Sequence, residues 1–489
     1  MIPVNPNGVG LRSDRGPILI ALMLSTSLVA IDSTIIATAV PSIVSSIGGF
    51  SEFPWLFSIY LLAQAVTVPV YGKLADLFGR KPVILFGIAL FLVGSILCGF
   101  AWNMGVLIAF RVVQGLGAGA IQPISITIVG DLYSLQERAR VQGYLASVWG
   151  ISSVVGPTLG GVFSEYISWR WIFFVNIPLC VLAAVMLIRN FSERVERSHP
   201  RIDYGGAALL TTGCTLLILG VLEGGQSWPW WSVPGVAILA CGALLITGFV
   251  LVERRVPEPV LPLWVFSRRL LLTTSLVSAG VGAVVLGLTS YIPTFVQDVL
   301  GTGPVVAGFA LATLTLGWPV AAAQSGKVYL RIGFRSCALI GSVLVVLGTA
   351  LLLLLDASSS VGQVAATCFV IGLGMGLVAS PTLVASQSSV GWQERGVVTG
   401  NNLFCRSIGS ALGVAVFGAI ANATLGSNHS TLSTGHVSAA ALTAATQHVF
   451  IGVAVLSVAI AVAVALMPRV GAPDTTGSPS RADLDQQIV

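Results

Sequence analysis

Among the few charged side chains inside long apolar runs of this 489-residue chain are Asp32, in the first run, and Arg111, in the fourth. An ionised side chain at the centre of a bilayer costs on the order of 2.5–3.5 kcal/mol on insertion scales, so each should face a partner or a cavity. At about 1.5 Å per helical residue, both lie roughly 10–12 Å from the same bilayer face. We therefore expect the two side chains to meet.

An aspartate and an arginine at this depth could bind and release a proton. Apolar surroundings favour the protonated carboxyl group, whereas an adjacent guanidinium favours the carboxylate. Movement of one helix relative to the other could therefore load and unload the proton. We predict a proton-coupling role for Asp32 and Arg111, and the alternative is a permanent ion pair that holds the two helices together.

A second set of side chains could line a binding pocket. They are large aromatic or amide groups, with one arginine, inside apolar runs: Tyr60, Gln64, Gln122, Trp149, Trp318, Asn401, Asn402 and Arg406. Each aromatic or amide group could instead have a purely structural role. A buried guanidinium must find acceptors, so Arg406 could bind an anionic group or pair with unwound backbone carbonyls, and the sequence leaves both alternatives open.

These residues must be positioned by helices that cross a membrane. Hydrophobic residues make up 55% of the chain and charged residues 9%, whereas about a quarter of the residues of a soluble domain are charged. Runs of about 20 apolar residues are long enough to cross a hydrocarbon core of about 30 Å. We predict an all-α polytopic membrane protein with fourteen spans, near 17–40, 54–72, 82–101, 104–129, 140–164, 171–188, 205–222, 233–252, 270–291, 303–325, 336–355, 361–384, 396–421 and 446–467.

The basic residues orient these spans. An even number of spans places both tails on one side, and of the 24 basic residues only Arg170 falls on the opposite side, while Arg111 and Arg406 lie inside spans. Cytoplasmic loops are enriched in Lys and Arg, so we expect a multi-pass protein of the cell membrane with cytoplasmic termini. This distribution accounts for the net charge of +5 without a nucleic-acid partner.

An internal repeat divides the chain into two halves. The motif Gly72-Lys73 with Gly79 recurs as Gly326-Lys327 with Gly333. Parallel halves around a midplane site are a transporter architecture. We predict an N-terminal tail at 1–16, a six-helix bundle at 17–188, an inserted helix pair with cytoplasmic linkers at 189–269, a second six-helix bundle at 270–467 and a disordered cytoplasmic tail at 468–489.

Two motifs carry further candidate residues. After the second span, the tight basic turn 72–82 contains Gly72, Asp76, Gly79, Arg80 and Lys81, and its aspartate could pair with a nearby cation or face a helix N-terminus across the bundle interface. In the fifth span, proline should break the helix and glycines should permit close packing at the bundle interface, which predicts a pliable helix: Gly150, Gly156, Pro157, Gly160 and Gly161.

The turn 72–82 resembles the signature loop of the major facilitator superfamily, and the fifth-span motif resembles that of its antiporters. Residues 31–41 and 168–173 are similar to the fourteen-spanner drug:proton antiporter family in particular. The resemblance implies two six-helix bundles plus two inserted helices, and export of lipophilic drugs in exchange for protons by alternating access. It implies no cofactor beyond the proton gradient and no partner other than lipid, protons and a small lipophilic substrate, so we expect a monomer. Leu330 stands where the repeat of Asp76 would fall, so that latch occurs once. Gly287 lies close to where Asp32 would repeat, and the tenth and thirteenth spans contain no acid, so we expect the proton chemistry in the first half.

Other functional classes find little support in the sequence. It has no Walker loop, no GxSxG motif and no clustered His, Cys and Asp residues, so we expect neither an enzyme, nor an ATP-driven pump, nor a metal site. A proton-coupled exporter or importer of one metabolite or lipid on the same scaffold remains an alternative, because fold does not fix substrate. With Asp32 as the only clearly embedded carboxylate, we favour neutral or singly charged substrates.

Overall fold

The computed structural model describes residues 10–48, 55–193, 203–224, 228–229, 231–256, 259–426 and 439–469. The predictions for residues 1–9 of the N-terminal tail and for residues 470–489 of the C-terminal tail lie outside these described residues.

Within the described ranges, fourteen helices are long and apolar enough to cross a membrane, which confirms the predicted all-α polytopic fold. They are α1 (Gly16–Ile47), α2 (Trp55–Phe78), α3 (Arg80–Gly99), α4 (Met104–Leu132), α5 (Leu135–Tyr166), α6 (Asn176–Asn190), α7 (Tyr204–Glu223), α8 (Val233–Glu253), α9 (Arg269–Thr294), α10 (Pro304–Ile332), α11 (Phe334–Leu352), α12 (Val361–Ser388), α13 (Arg395–Gly426) and α14 (Ala439–Leu466). The sixth span includes the short helix Trp171–Phe174 that precedes α6, and it runs from Trp171 to Asn190.

Several helices continue beyond their predicted ends on the side of the basic loops. Helix α2 reaches Phe78 rather than residue 72, and α10 reaches Ile332 rather than residue 325. An apolar run marks only the part of a helix that lies in lipid, so it underestimates helices that extend into a polar region. The expected loop 72–82 is therefore mostly helix, and Gly79 alone, with φ of 95°, separates α2 from α3. The same turn recurs at Gly333, with φ of 85°.

The two six-helix bundles pack their helices in the same pairs. In the first bundle α1 packs against α5 and α6, and α4 packs against α2 and α3. In the second, α9 packs against α13 and α14, and α12 packs against α10 and α11. Each bundle has its own buried apolar core. The internal repeat in the sequence therefore corresponds to a repeat in helix packing.

The bundles meet through α5 against α10 and α2 against α13. Arg15 at the start of α1 donates to the Leu132 carbonyl at the end of α4 at 2.7 Å, so these helix ends lie at one end of the molecule. We call this the basic end, because the basic turns of the sequence lie there. The polar contacts between the two bundles concentrate at the basic end.

The inserted helices form a hairpin beside the interface between the bundles. A Cβ on Gly213 of α7 would lie 2.9 Å from Ile246 of α8, so the two helices are in close contact. Helix α7 also packs on both α2 and α13, where Leu210, Cys214 and Ile218 join an apolar cluster with residues of both bundles. The hairpin thus covers one side of the seam between the bundles.

Candidate functional site

Asp32 of α1 and Arg111 of α4 form a buried ion pair. Arg111 Nη1 donates to Asp32 Oδ2 at 2.6 Å, and each side chain is 1% exposed. The expectation that the two residues meet is confirmed. At this separation and burial, each charge depends on the other for its stabilisation.

Three uncharged polar side chains complete this site. Gln114 Nε2 donates to Asp32 Oδ1 at 2.7 Å and to Ser95 Oγ at 2.7 Å. Asn176 Nδ2 donates to Ser95 Oγ at 3.0 Å and lies 3.4 Å from Asp32 Oδ1. All three are fully buried. The carboxylate is therefore held by residues from α3, α4 and α6 together, and we call this group with Arg111 the Asp32 network.

Arg111 is also fixed by α2. Its Nε donates to the Leu56 carbonyl at 3.1 Å, and its guanidinium carbon lies 4.1 Å from the centroid of the Tyr60 ring. Cation–π contacts of this kind stabilise a desolvated guanidinium. Tyr60 was predicted to line a substrate pocket, and that prediction is wrong, because its ring packs against Arg111 within the first bundle.

A cavity of about 640 Å³ lies between the two bundles. It is of the size of a small-molecule site, and most of its wall is apolar. The predicted residues that line it are Gln64, Gln122, Trp149, Trp318, Asn402 and Arg406. Asn401 does not, because its Nδ2 points instead to Ser275 Oγ at 2.7 Å, so this part of the pocket prediction is wrong. Helix α7 contributes Ile218 to the wall.

Among the described residues that line the cavity, Arg406 is the one charged side chain. Its guanidinium carbon lies 4.8 Å from the centroid of the Trp318 ring. The sequence left open an anionic group or unwound backbone carbonyls as partners of this side chain. Among the described residues it contacts an aromatic ring at the cavity wall, and no bond to a backbone carbonyl is observed. Asp32 and Arg111 do not line the cavity. The ion pair and the cavity are therefore separate sites.

Asp76 joins the two bundles at the basic end. Its Oδ1 accepts a hydrogen bond from the Gly396 N–H at 3.0 Å, and its Oδ2 accepts one from the Val397 N–H at 2.8 Å. Arg80 Nη2 lies 2.9 Å from Asp76 Oδ1. The carboxylate thus stabilises both a cation and the unpaired N–H groups at the positive end of α13. Two of the partners considered from the sequence, Arg80 and a helix N-terminus, are observed together.

Arg80 extends this contact to a second acid. Its Nε donates to Asp131 Oδ2 at 2.9 Å, its Nη2 donates to the Trp392 carbonyl at 2.6 Å, and its guanidinium carbon lies 3.8 Å from the centroid of the Trp392 ring. From the second bundle, Arg395 Nη1 donates to Asp131 Oδ1 at 3.1 Å. We call Asp76, Arg80, Asp131, Trp392 and Arg395 the basic-end latch, because these residues connect the bundles.

Glycines allow the helices to approach at the latch. A Cβ on Gly72 would lie 2.6 Å from the Gly396 carbonyl oxygen, and one on Gly396 would lie 2.5 Å from that of Gly72. No side chain fits between the two backbones at these distances. Gly72 thus allows the close contact of α2 with α13, whereas Gly79 allows the turn between α2 and α3.

Lys81 stabilises the first bundle rather than the interface. Its Nζ donates to the carbonyls of Ile188, at 3.0 Å, and Phe191. Glu193 Oε2 accepts hydrogen bonds from the backbone N–H groups of Arg80 and Lys81 at 2.7 and 3.0 Å. Burial raises the pKa of Glu193 above its usual range, although the Lys81 N–H and the charge of Arg80 partly oppose this effect.

The glycine-proline motif of α5 holds two helices together. A Cβ on Gly156 would lie 2.1 Å from Thr34 Oγ1, and one on Gly160 would lie 2.4 Å from the Ile35 carbonyl oxygen. The motif therefore packs mainly against α1 of its own bundle. Gly161 faces open space, and Gly150 is the member nearest the second bundle, 3.8 Å from Pro319 by the same measure.

The predicted break at Pro157 does not occur, because α5 is continuous from Leu135 to Tyr166. Hydroxyl groups of α1 donate to two carbonyls near the proline. Thr34 Oγ1 donates to the Ser152 carbonyl at 3.0 Å, and Thr38 Oγ1 donates to the Pro157 carbonyl at 3.2 Å. These bonds join α1 to α5 on either side of Pro157.

The sequence pattern of the Major Facilitator Superfamily matches residues 22–414. The chain belongs to the Major Facilitator Superfamily. Membership confirms that the chain is a multi-pass transporter and not an enzyme. In its described residues, no group of three or more His, Cys, Asp or Glu side chains has the arrangement of a metal site.

Relatives within this superfamily cover most of the chain. Multidrug resistance protein 3 of Bacillus subtilis (strain 168) is 35% identical over 405 residues, which are 82% of this chain and 79% of that protein. Multidrug transporter protein MdtP of the same strain is 33% identical over 419 residues, covering 85% and 77%. The crystal structure of the human organic anion transporter MFSD10 shares the fold, with a TM-score of 0.66, 15% identity and coverage of 92% of this chain and 99% of that one.

Sequence reasoning missed several residues of this superfamily member. Gln114 follows Arg111 by one helical turn, so a search for polar residues on the same helix face would have found it. Asn176 is a polar residue inside an apolar run, and this position could likewise have identified it as a candidate. Ser95 had no such signal, because isolated serines are frequent in the other spans. Asp131 was overlooked because it lies at the end of an apolar run, where a charge costs little.

Proposed function

We propose that this chain exports lipophilic drugs and related small molecules in exchange for protons, by alternating access of the central cavity to the two sides of the cell membrane. The observation that carries the proposal is the buried Asp32–Arg111 pair, since ionisable residues inside membrane helices are typical of proton pathways. Two relatives are named for multidrug resistance and multidrug transport, which supports drugs as the substrate.

Proton binding would act on the Asp32 network first. Protonation of Asp32 removes the negative charge that holds Arg111, and the 2.6 Å ion pair loses most of its attraction. Arg111 also binds the Leu56 carbonyl and the Tyr60 ring of α2. A change at Arg111 is therefore passed to α2, the helix that bears Asp76 of the basic-end latch.

The separation of sites supports coupling through helix movement. Asp32 does not line the cavity, so proton and substrate do not compete for the same side chain. Because α2 contacts Arg111, lines the cavity with Gln64 and holds the latch with Asp76, one helix links all three sites. Rigid elements with two arrangements are a physical route for such coupling.

The proposed orientation follows the basic residues. The positive-inside rule places the basic end and both termini in the cytoplasm. The latch at this end would hold the bundles together on the cytoplasmic side, as expected of a state that is closed to the cytoplasm. Each proton that then moves inward provides about 2.3 kcal/mol per 100 mV and about 1.36 kcal/mol per unit of pH difference.

The test is transport by purified full-length protein in proteoliposomes with an imposed pH gradient, across a panel of dyes, antibiotics and metabolites. We expect several lipophilic compounds to move against the direction of proton flow, with a matching change of lumenal pH. Transport of a single metabolite would favour the alternative of a specific exporter, and transport insensitive to the pH gradient would contradict the proposal.

A further inference from the structure

The charge of the central cavity indicates which substrates it accepts. Its wall is apolar apart from amides, hydroxyls and one guanidinium, and none of the described residues that line it is a carboxylate. A cationic substrate would meet a like charge and no opposite one, which costs free energy in a desolvated site. An anionic group would meet an unneutralised cation.

Arg406, which is half-buried, differs in its contacts from the arginines of the Asp32 network and the basic-end latch. Arg111 is paired with Asp32, and Arg80 is paired with Asp76 and Asp131. Arg406 stacks on Trp318, and among the described residues it has no carboxylate or carbonyl partner. A guanidinium has five N–H donors, so Arg406, half-buried at the cavity wall, has donors available for a ligand.

The surroundings hold Arg406 at the cavity wall. On the backbone side, α9 packs so closely that a Cβ on Gly282 would lie 2.0 Å from the Arg406 carbonyl oxygen. On the side-chain side, the guanidinium carbon lies 4.8 Å from the centroid of the Trp318 ring. A guanidinium presents its N–H donors in one plane, which suits bidentate binding of a carboxylate or sulfonate.

We propose that the cavity binds amphipathic organic monoanions, with the anionic group on Arg406 and the apolar body against the remaining wall. The inference rests on the proposed function in that it takes the cavity as the substrate site. A volume of about 640 Å³ admits a molecule with two or three fused rings. The Gln64–Gln122 amide pair, at 3.4 Å, offers additional hydrogen bonds from the first bundle.

The test is equilibrium binding to the purified full-length protein in phosphatidylcholine nanodiscs without any gradient. The probes are 9-anthracenecarboxylate, its neutral carboxamide and the 9-anthracenylmethylammonium cation, which share one ring system and differ in charge. The wild-type protein should bind the carboxylate about tenfold more tightly than the amide, given the strength of charge-assisted hydrogen bonds, and the ammonium least tightly.

Substitution of Arg406 should remove this preference. Arg406→Gln should weaken carboxylate binding about tenfold and change amide binding less than about twofold, while Arg406→Lys should retain part of the preference. The matched control is Arg268→Gln, which removes a guanidinium that also stacks on a tryptophan, Trp264 at 4.3 Å, but lies outside the cavity. It should leave all three affinities unchanged.

The proposal is overturned if the wild-type protein binds the carboxylate no more tightly than the amide, a result that needs no variant. It is also overturned if Arg406→Gln weakens binding of all three probes equally, since that would indicate a structural role. Because no gradient is present, either result leaves the question of proton coupling untouched.

Discussion

The first and second six-helix bundles pack their helices in the same pairs, but they differ in whether their arginines are paired with an acid. In the first, two of the buried arginines, Arg111 and Arg80, each contact a carboxylate, and the acids Asp32 and Asp76 are both enclosed. In the second, Leu330 takes the place of Asp76, and Arg406 lies at the cavity wall without an acid. Duplication thus preserved the glycine-dependent helix contacts, while the ionisable groups diverged between the halves.

This difference separates two tasks that a transporter needs. Enclosed acid–base pairs respond to protons and to the relative position of helices, whereas an unneutralised cation at a cavity wall responds to a ligand. We assign the first task to the first bundle and the second task to Arg406. Substitutions made at equivalent or chemically matched positions of the two halves can test this division.

The largest expected effect concerns the two arginines. Arg111→Gln leaves the Asp32 carboxylate buried without its cation, and we expect a loss of about 3 kcal/mol in the free energy of unfolding. Arg406→Gln leaves no carboxylate behind, and we expect a change of less than about 1 kcal/mol. Unfolding of both purified variants in detergent measures this, and equal losses would contradict the comparison.

The next-largest expected effect is a local loss of stability at the basic-end latch. Asp76→Asn removes the charge that holds Arg80 and the first turn of α13, so about 1.5–3 kcal/mol should be lost locally. Hydrogen exchange of the amides of Gly396 and Val397 should accelerate about tenfold or more. The matched control is Leu330→Asn, the same position in the second half, which should leave exchange at both amides unaltered.

Replacing a closely packed glycine should destabilise the protein by a similar amount in both halves. Gly156 and Gly409 occupy equivalent positions, and a Cβ there would lie 2.1 Å from Thr34 Oγ1 and 1.9 Å from the Ala279 carbonyl oxygen. Alanine at either position should destabilise the protein by about 1–3 kcal/mol. Gly161→Ala, where nothing lies within 4 Å, is the control and should change stability by less than about 0.5 kcal/mol. A harmless Gly409→Ala would show that only the first half is closely packed.

The smallest effect is a pH dependence at Glu193. Its pKa is raised in the folded protein by burial, so the folded state binds the proton more tightly than the unfolded chain. Stability should therefore fall as the pH rises from the usual glutamate range through the raised pKa. Glu193→Gln keeps an oxygen acceptor for the N–H groups of Arg80 and Lys81, and it should flatten this part of the stability profile. An unchanged profile would contradict the assignment.

Much of the fold was predictable from the sequence because lipid permits few solutions. Apolar runs located the fourteen helices, and the cost of a buried charge identified Asp32 and Arg111. Helix ends were less predictable, because α2 and α10 continue past the apolar region. The sequence also did not show which side of its helix each side chain occupies. The adjacent residues Asn401 and Asn402 were therefore both assigned to the pocket, although only Asn402 lines the cavity.

Contacts between distant segments could not be predicted. Pro157 suggested a broken helix, yet hydroxyls of α1 donate to the neighbouring carbonyls and α5 remains continuous. For Arg406 the sequence left open an anionic group or backbone carbonyls as partners, and it did not indicate the contact with the Trp318 ring. In each case the outcome depends on a helix that is distant in the sequence. It is more than one hundred residues away for the α5 proline and nearly ninety for Arg406, and local patterns do not reveal such contacts.

The central claim is that Asp32 couples transport to protons without forming part of the substrate site. It is tested most directly by comparing two rates for Asp32→Asn in proteoliposomes: pH-driven uptake, and exchange of labelled for unlabelled substrate without a gradient. The account predicts that pH-driven uptake falls to background while exchange persists, with Asp356→Asn, at an exposed loop acid, retaining both. Undiminished pH-driven uptake by Asp32→Asn would contradict it.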